Sequence, residues 1–250
     1  MPKKIKIGVI GCGAIAQHGH LPYYGRHRNV QIFAADESDE RLKEISKSFS
    51  IERVYKNYKE MLQKEKLDGV SICVPNHLHA KATIIAARHG IHILCEKPMA
   101  LMVSDAKKMV EVCKQNSVIL MVDFTNRFMS GPRKIKQLLS QHKIGEFHSI
   151  RIRFVHGGPY DNWAKSKWFY DPAKAGGGAL MDLGVHAIDI CHFFVGPVTS
   201  VIASVANLSK NIPVEDSAMM LVEFDKNRKG IIETGWTGAG GFVGVEICGS

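Results

Sequence analysis

Three groups of residues in this 250-residue chain have types and spacings suited to chemistry. The first is the run Gly11-Cys12-Gly13-Ala14-Ile15-Ala16, placed directly after an apolar segment. Gly11 permits a tight turn, and Gly13 lacks a side chain, so a pyrophosphate can approach the backbone. Ala16 is small enough for a helix to pack closely on a strand. The helix that Ala14 and Ile15 open offers unsatisfied N–H groups and a partial positive charge to the phosphates. Asp36 ends the next apolar run. A carboxylate there can accept both ribose hydroxyls of NAD and repels the extra phosphate of NADP, so NAD is the expected cofactor and NADP the alternative. An aspartate at such a place also caps the helix that follows.

The second group is Glu96-Lys97-Pro98, after a further strand-like run, at the carboxyl edge of a sheet where ligands bind. A lysine in such a crevice can hydrogen-bond a reacting oxygen and, if desolvated, exchange a proton. A solvated surface lysine is the alternative. The third group is Asp182 and His186, four apart on an expected helix and therefore on one face. An acid so placed can orient an imidazole, and histidine is a suitable acid–base near neutral pH. The Gly176-Gly177-Gly178 run before them is expected to let backbone approach a ligand. A helix histidine merely satisfied by its neighbour is the competing reading.

Other residues allow weaker inferences. Tyr160, Trp163, Lys165 and Trp168 stand in a Gly- and Pro-rich stretch; their aromatic faces suit a sugar ring or a subunit contact. Arg127 suits a substrate or a structural acid. His77 and His79 are two apart, but no further ligand falls at metal spacing, so no metal is expected. The six cysteines include no CxxC pair and lie mostly in apolar runs, which points to reduced thiols and a cytoplasmic setting. The net charge is +9, but Lys and Arg are dispersed, which argues against nucleic-acid binding. No secretory leader pattern opens the chain, and no apolar run reaches the roughly 18 residues of a bilayer span.

The elements that position these groups follow from periodicity. Runs 5–10, 30–35, 69–74, 91–95 and 118–124 are Val/Ile-rich and nearly continuous, as buried parallel strands are. Helical patterns at 37–49, 78–89 and 104–116 alternate with them, which predicts an α/β, doubly wound parallel sheet of the Rossmann type over 1–124. Beyond it, a helix to about 141, a strand at 147–155, a long loop at 156–178 and a helix at 179–194 are expected. Strands at 198–208, 216–224, 230–236 and 242–247 close the chain. Residues 125–250 thus read as an α+β domain with a mostly antiparallel open sheet, a candidate substrate-binding and oligomerisation unit.

In this order, the motifs Gly11-x-Gly13-x-x-Ala16, Val74-Pro75-Asn76-x-x-His79, Glu96-Lys97-Pro98, Asn126-Arg127-Phe128 and Gly176-Gly177-Gly178-x-x-x-Asp182-x-Gly184-x-His186-x-x-Asp189 resemble the Gfo/Idh/MocA oxidoreductases over the whole chain. The resemblance implies a Rossmann domain followed by an open-sheet domain, and oxidation or reduction of sugars, inositols or related polyols. It implies that Lys97 is the catalytic or substrate-orienting lysine and that Asp182 and His186 complete the active site, the three meeting over the nicotinamide. Pro75, Asn76, His79, Glu96 and Pro98 would line the nicotinamide side, and a homo-oligomer through the C-terminal sheet is expected. Family chains are usually longer, so the second domain is expected to be incomplete. Two rival functions stand beside this one: an NAD-dependent glycosidase working by transient oxidation, and a non-catalytic dinucleotide- or sugar-binding protein.

Overall fold

In the computed structural model, residues 4–160, 166–209, 211–238 and 240–250 are described. The chain divides into two compact units, Met1–Asp123 and Phe124–Ser250, one residue before the boundary read from the sequence.

The first unit opens with β1 (Ile5–Ile10), a π-helical turn (Ala16–His20) and α1 (Leu21–Gly25). Then follow β2 (Val30–Ala35), α2 (Asp39–Ser48), β3 (Ile51–Tyr55), α3 (Tyr58–Lys64), β4 (Gly69–Ile72), α4 (His79–Arg88), β5 (His92–Cys95), α5 (Val103–Gln115) and β6 (Leu120–Val122). The six strands form one parallel sheet in the order β3-β2-β1-β4-β5-β6, with the reversal of strand order at β1 and β4. Adjacent strand residues serve opposite faces. Val9 and Ile32 pack with Ala16, Leu21 and Ile45, whereas Ile10 and Phe33 pack with Met61, Ala82 and Met109. Helices therefore cover both faces, which explains the unbroken apolar runs.

Three elements differ from the sequence expectation. Edge strand β3 reads Ile-Glu-Arg-Val-Tyr and is exposed at its centre, so it has no continuous apolar signature. Helix α3 buries only the adjacent pair Met61 and Leu62, too little for a period to show, although Asn57 caps it by accepting from Lys59 N–H at 2.9 Å. The strand expected at 118–124 contracts to β6.

The second unit contains α6 (Ser130–Ser140), β7 (Phe147–Val155), α7 (Pro172–Ala175), a π-helical turn (Leu180–Gly184) running into α8 (Val185–Val195), and β8 (Ser200–Ala206), β9 (Ser217–Glu223), β10 (Lys229–Gly235) and β11 (Phe242–Gly249). Its sheet runs β11-β7-β10-β9-β8; only the β10–β7 pair is parallel. One face, with Ile150, Ile152, Phe154, Met220, Val222 and Ile232, packs on Ala179, Leu183, Ala187 and Ile190 of the long helix. On the other face Ile202, Leu221 and Ile231 stand in register across β8, β9 and β10, all exposed.

The stretch expected to be a plain loop over 156–178 carries α7. Asp171 caps it by accepting from Ala173 N–H at 3.0 Å, Pro172 begins it, and Gly176 ends it with φ +82°. By length and composition alone the stretch Pro172–Val195 passes as a membrane span, although Gly176 interrupts it after α7. Half of that window is buried, because it is the helix that fills this unit's core.

Candidate active site

The glycine turn has the geometry its residue types require. Gly11 has φ +89°, and a β-carbon there would lie 2.7 Å from the Cys73 carbonyl oxygen, so only glycine fits. Around Gly13 nothing lies within 4 Å of an added β-carbon. That glycine is therefore not explained by packing within the chain, and the open space is where a ligand's phosphates fit. Ala14 and Ile15 are exposed beside it, while Ala16 is fully buried against the sheet. Asp36 holds the turn from β2: its carboxylate accepts from Cys12 N–H at 2.7 Å and from Ser38 N–H at 2.8 Å, with Arg41 Nη1 at 3.5 Å. Four lone-pair sites leave capacity for ribose hydroxyls as well. Capping of α2 falls to Ser38, which accepts from Arg41 N–H. These residues fit a dinucleotide.

At the carboxyl ends of β4, β5 and β6 a second constellation forms. Lys97 is half-buried, next to the buried Glu96 and Pro98, and the Lys97–Pro98 bond is cis. Pro75 is half-buried and Asn76 buried, in the turn after β4. His79 departs from the role implied by the resemblance. It is fully buried, with Nδ1 2.7 Å from the Pro98 carbonyl oxygen and Nε2 2.8 Å from that of Val74. Rather than lining a cleft, the ring clamps the Lys97–Pro98 turn to the end of β4. Burial pushes its pKa below the ordinary value, against the pull of the two carbonyls.

Apart from Glu96 itself, sequence reasoning did not single out the polar residues gathered around that carboxylate. His20 Nε2 lies 2.9 Å from Glu96 Oε1 and 3.6 Å from Asp123 Oδ2; His20 Nδ1 lies 3.2 Å from Ser71 Oγ, itself 2.5 Å from the Tyr24 hydroxyl. Glu96 Oε2 accepts from Lys97 N–H at 3.2 Å. The position of Asp123, just after β6 on the ligand edge, was the available signal; His20 gave none.

In the second unit, Asp182 sits in the π-helical turn and His186 in the first turn of α8, both half-buried. Such turns occur often at functional sites. Asp182 Oδ2 accepts from the indole N–H of the buried Trp236 at 3.2 Å. The His186 ring stacks on Phe154 (6.3 Å, 17°) and meets Phe124 edge-on. The triglycine run serves the protein's own backbone, which corrects its expected role as a ligand approach. A β-carbon on Gly178 would overlap the Glu215 carbonyl oxygen, and Glu215 Oε1 accepts from Gly178 and Leu180 N–H at 2.8 and 3.0 Å. Glu215 thus neutralises the helix start, unannounced by any local pattern.

Arg127 is engaged by a structural acid. Its Nε donates to Asp189 Oδ2 at 2.8 Å, its Nη2 to Oδ1, and the guanidinium lies over Phe124 and Phe193. Trp168 is half-buried and stacks on Phe169 at 4.0 Å. Tyr160 and Tyr170 stack at 5.6 Å, each edge-on to Trp236, and burial pushes the Tyr160 hydroxyl up to about 12. Trp163 and Lys165 lie outside the described residues.

A six-stranded parallel sheet with a glycine turn at its switch point, followed by an open-sheet unit, defines a dinucleotide-binding oxidoreductase architecture. Residues 5–124 match the model of an oxidoreductase family with an NAD-binding Rossmann fold, and residues 133–250 match the C-terminal domain of the same family. The chain belongs to the GFO/IDH/MocA oxidoreductase family. Among its relatives, a D-apiose dehydrogenase from Paraburkholderia graminis is 30% identical over 238 residues, covering 92% of this chain and 60% of that protein. A myo-inositol 2-dehydrogenase from Thermotoga maritima is 25% identical, covering 98% of this chain and 73% of that protein. The solved WlbA dehydrogenase of Bordetella pertussis, in complex with NADH and UDP-GlcNAcA, superposes with TM-score 0.92 at 26% identity, over 100% of this chain and 72% of its own. The chain therefore spans well under the full length of these relatives.

Proposed function

We propose that the protein is an NAD-dependent dehydrogenase acting on a secondary alcohol or carbonyl of a sugar, inositol or related polyol. The observation that carries this reading is the open space at Gly13, in a turn whose other glycine is fixed by its own backbone. The relatives named for sugar and inositol oxidation support the substrate class. When bound, the nicotinamide supplies the hydride acceptor or donor.

The chain's own residues bind, orient and move protons. The backbone of 11–16 receives the pyrophosphate, and Asp36 receives the ribose and disfavours a 2′-phosphate. Pro75, Asn76, Glu96 and Pro98 shape the turns beside the nicotinamide. Lys97 polarises the substrate oxygen, His186 exchanges its proton, and Asp182, held by Trp236, orients His186. Trp168 offers an aromatic face to the substrate. The exposed row Ile202, Leu221 and Ile231 is assigned to a homo-oligomer contact. The six free thiols agree with a cytoplasmic setting.

The test is reduced-nicotinamide absorbance across a panel of sugars and inositols, with Lys97→Ala beside the parent protein. Turnover should fall by orders of magnitude in the variant, with NAD affinity nearly unchanged. Equal rates remove Lys97 from the reaction. Release of free sugar without net NADH establishes the glycosidase reading instead. Tight NADH binding with no turnover establishes a binding protein.

A further inference from the structure

Three distant parts of the first unit bring one nitrogen and two carboxylates to a single point. His20 closes the π-helical turn after the glycine motif, Glu96 follows β5, and Asp123 follows β6. Their ligating atoms all lie within 4.8 Å of one another. His20 Nε2 is 2.9 Å from Glu96 Oε1 and 3.6 Å from Asp123 Oδ2. Ligands held about 2.1 Å from a tetrahedral ion stand about 3.4 Å apart, so both distances are within about 0.5 Å of those in such a site.

Hydrogen bonding does not account for the whole group. A donor at Nε2 serves Glu96, and one N–H points at one acceptor. Among the described residues none donates a hydrogen bond to the Asp123 side chain, which is nevertheless turned toward the same nitrogen. A cation between the three would engage every one of these atoms. The surroundings suit that arrangement. His20 Nδ1 lies 3.2 Å from the fully buried Ser71 Oγ, which Tyr24 backs at 2.5 Å. A histidine ligand is commonly fixed in this way through its other ring nitrogen, leaving Nε2 free to bind. Glu96 Oε2 accepts from the Lys97 N–H, which leaves Oε1 for the ion. The His20 and Glu96 side chains are 4% and 10% exposed and that of Asp123 16%, so the ion enters past Asp123.

We propose that His20 Nε2, Glu96 Oε1 and Asp123 Oδ2 form a binding site for one divalent transition-metal ion, of which zinc is the type. An imidazole among the ligands disfavours magnesium and calcium, which take oxygen ligands, and no cysteine sulfur joins the group among the described residues. The ion ties the turn after the glycine motif to the ends of β5 and β6. No spacing along the chain announces the site, because its ligands come from three separate segments. The site does not depend on the dehydrogenase reading, which the nicotinamide assay tests separately.

The experiment uses the full chain, stripped with a chelator and dialysed against Zn2+ without substrate or cofactor. The parent protein should retain one zinc per chain, and its melting temperature should rise by several degrees when zinc is added. Asp123→Asn keeps the side chain's shape and removes an anionic ligand. It should bind zinc at least about tenfold more weakly and lose the thermal shift. His20→Gln should bind none at this site; if it fails to fold, Asp123→Asn decides. Co2+ in place of zinc should give visible d–d bands without a thiolate charge-transfer band, as nitrogen and oxygen ligands require. No stoichiometric zinc in the parent, equal affinity in parent and Asp123→Asn, or a thiolate band with cobalt overturns the proposal and leaves the three residues a hydrogen-bonded tie within the fold.

Discussion

Gly11 and Gly13 look alike in the sequence but face different constraints. Gly11 has a positive φ and a carbonyl where a side chain would go, whereas Gly13 faces empty space. Gly11→Ala should cost about 2 kcal/mol or more in chemical denaturation, from backbone strain and the steric contact. Gly13→Val should leave the melting temperature nearly unchanged yet weaken NAD binding at least about tenfold by calorimetry, since its methyls fill only the ligand's space. A large loss of stability in Gly13→Val would show that the space belongs to the protein. His79 gives a pH prediction. Its folded pKa lies below the ordinary 6.5 because it is buried. The unfolded chain therefore binds the proton first, so stability is complete above that value and declines as pH falls through it. Denaturant midpoints measured down the acid range should show this slope, and His79→Gln should flatten it.

At the level of elements, the joint between the short 3-10 turn Thr125–Phe128 and α8 depends on Arg127 and Asp189. The pair is asymmetric: the Asp189 side chain is 5% exposed and that of Arg127 40%. Arg127→Ala strands a buried carboxylate and should cost about 2–3 kcal/mol, while Asp189→Ala leaves an arginine that reaches water and should cost about 1. Paired urea titrations read the difference. If Arg127→Ala kept full stability but lost substrate affinity, the arginine would belong to the substrate site after all. The long helix shows a related division of labour. Glu215 and Gly178 fix where it starts, Asp182 rests on Trp236, and the apolar residues Leu183, Ala187 and Ile190 seat it on the sheet.

For the molecule as a whole, the second sheet poses the question of its uncovered face. Arg153 pairs with Glu233 at 3.0 Å at one end of that face, while Ile202, Leu221 and Ile231 leave an apolar strip beside it. Ile202, 74% exposed, is the most accessible of the three. If the strip joins copies of the chain, Ile202→Glu should shift the mass in light scattering to that of a monomer, with little change in thermal stability at low concentration. An unchanged mass distribution would dismiss the strip as the contact.

The sequence alone determined the features set by local rules. Continuous apolar runs announced β1, β2, β4 and β5; alternation with amphipathic helices announced the parallel sheet; the glycine spacing announced the turn at its head. Lys97, Asp182 and His186 stood out as candidates because motif spacing depends on chain connectivity. The short edge strand β3 and helix α3 escaped because neither buries enough side chains to imprint a period. Only the tertiary structure decided which polar groups meet. It turned His79 into a clamp, paired Arg127 with Asp189, and gave the triglycine run to Glu215. It also gathered His20, Glu96 and Asp123, up to 103 residues apart in the chain, into one buried cluster. Burial and long-range proximity are properties of the packed fold, and no window along the chain contains them.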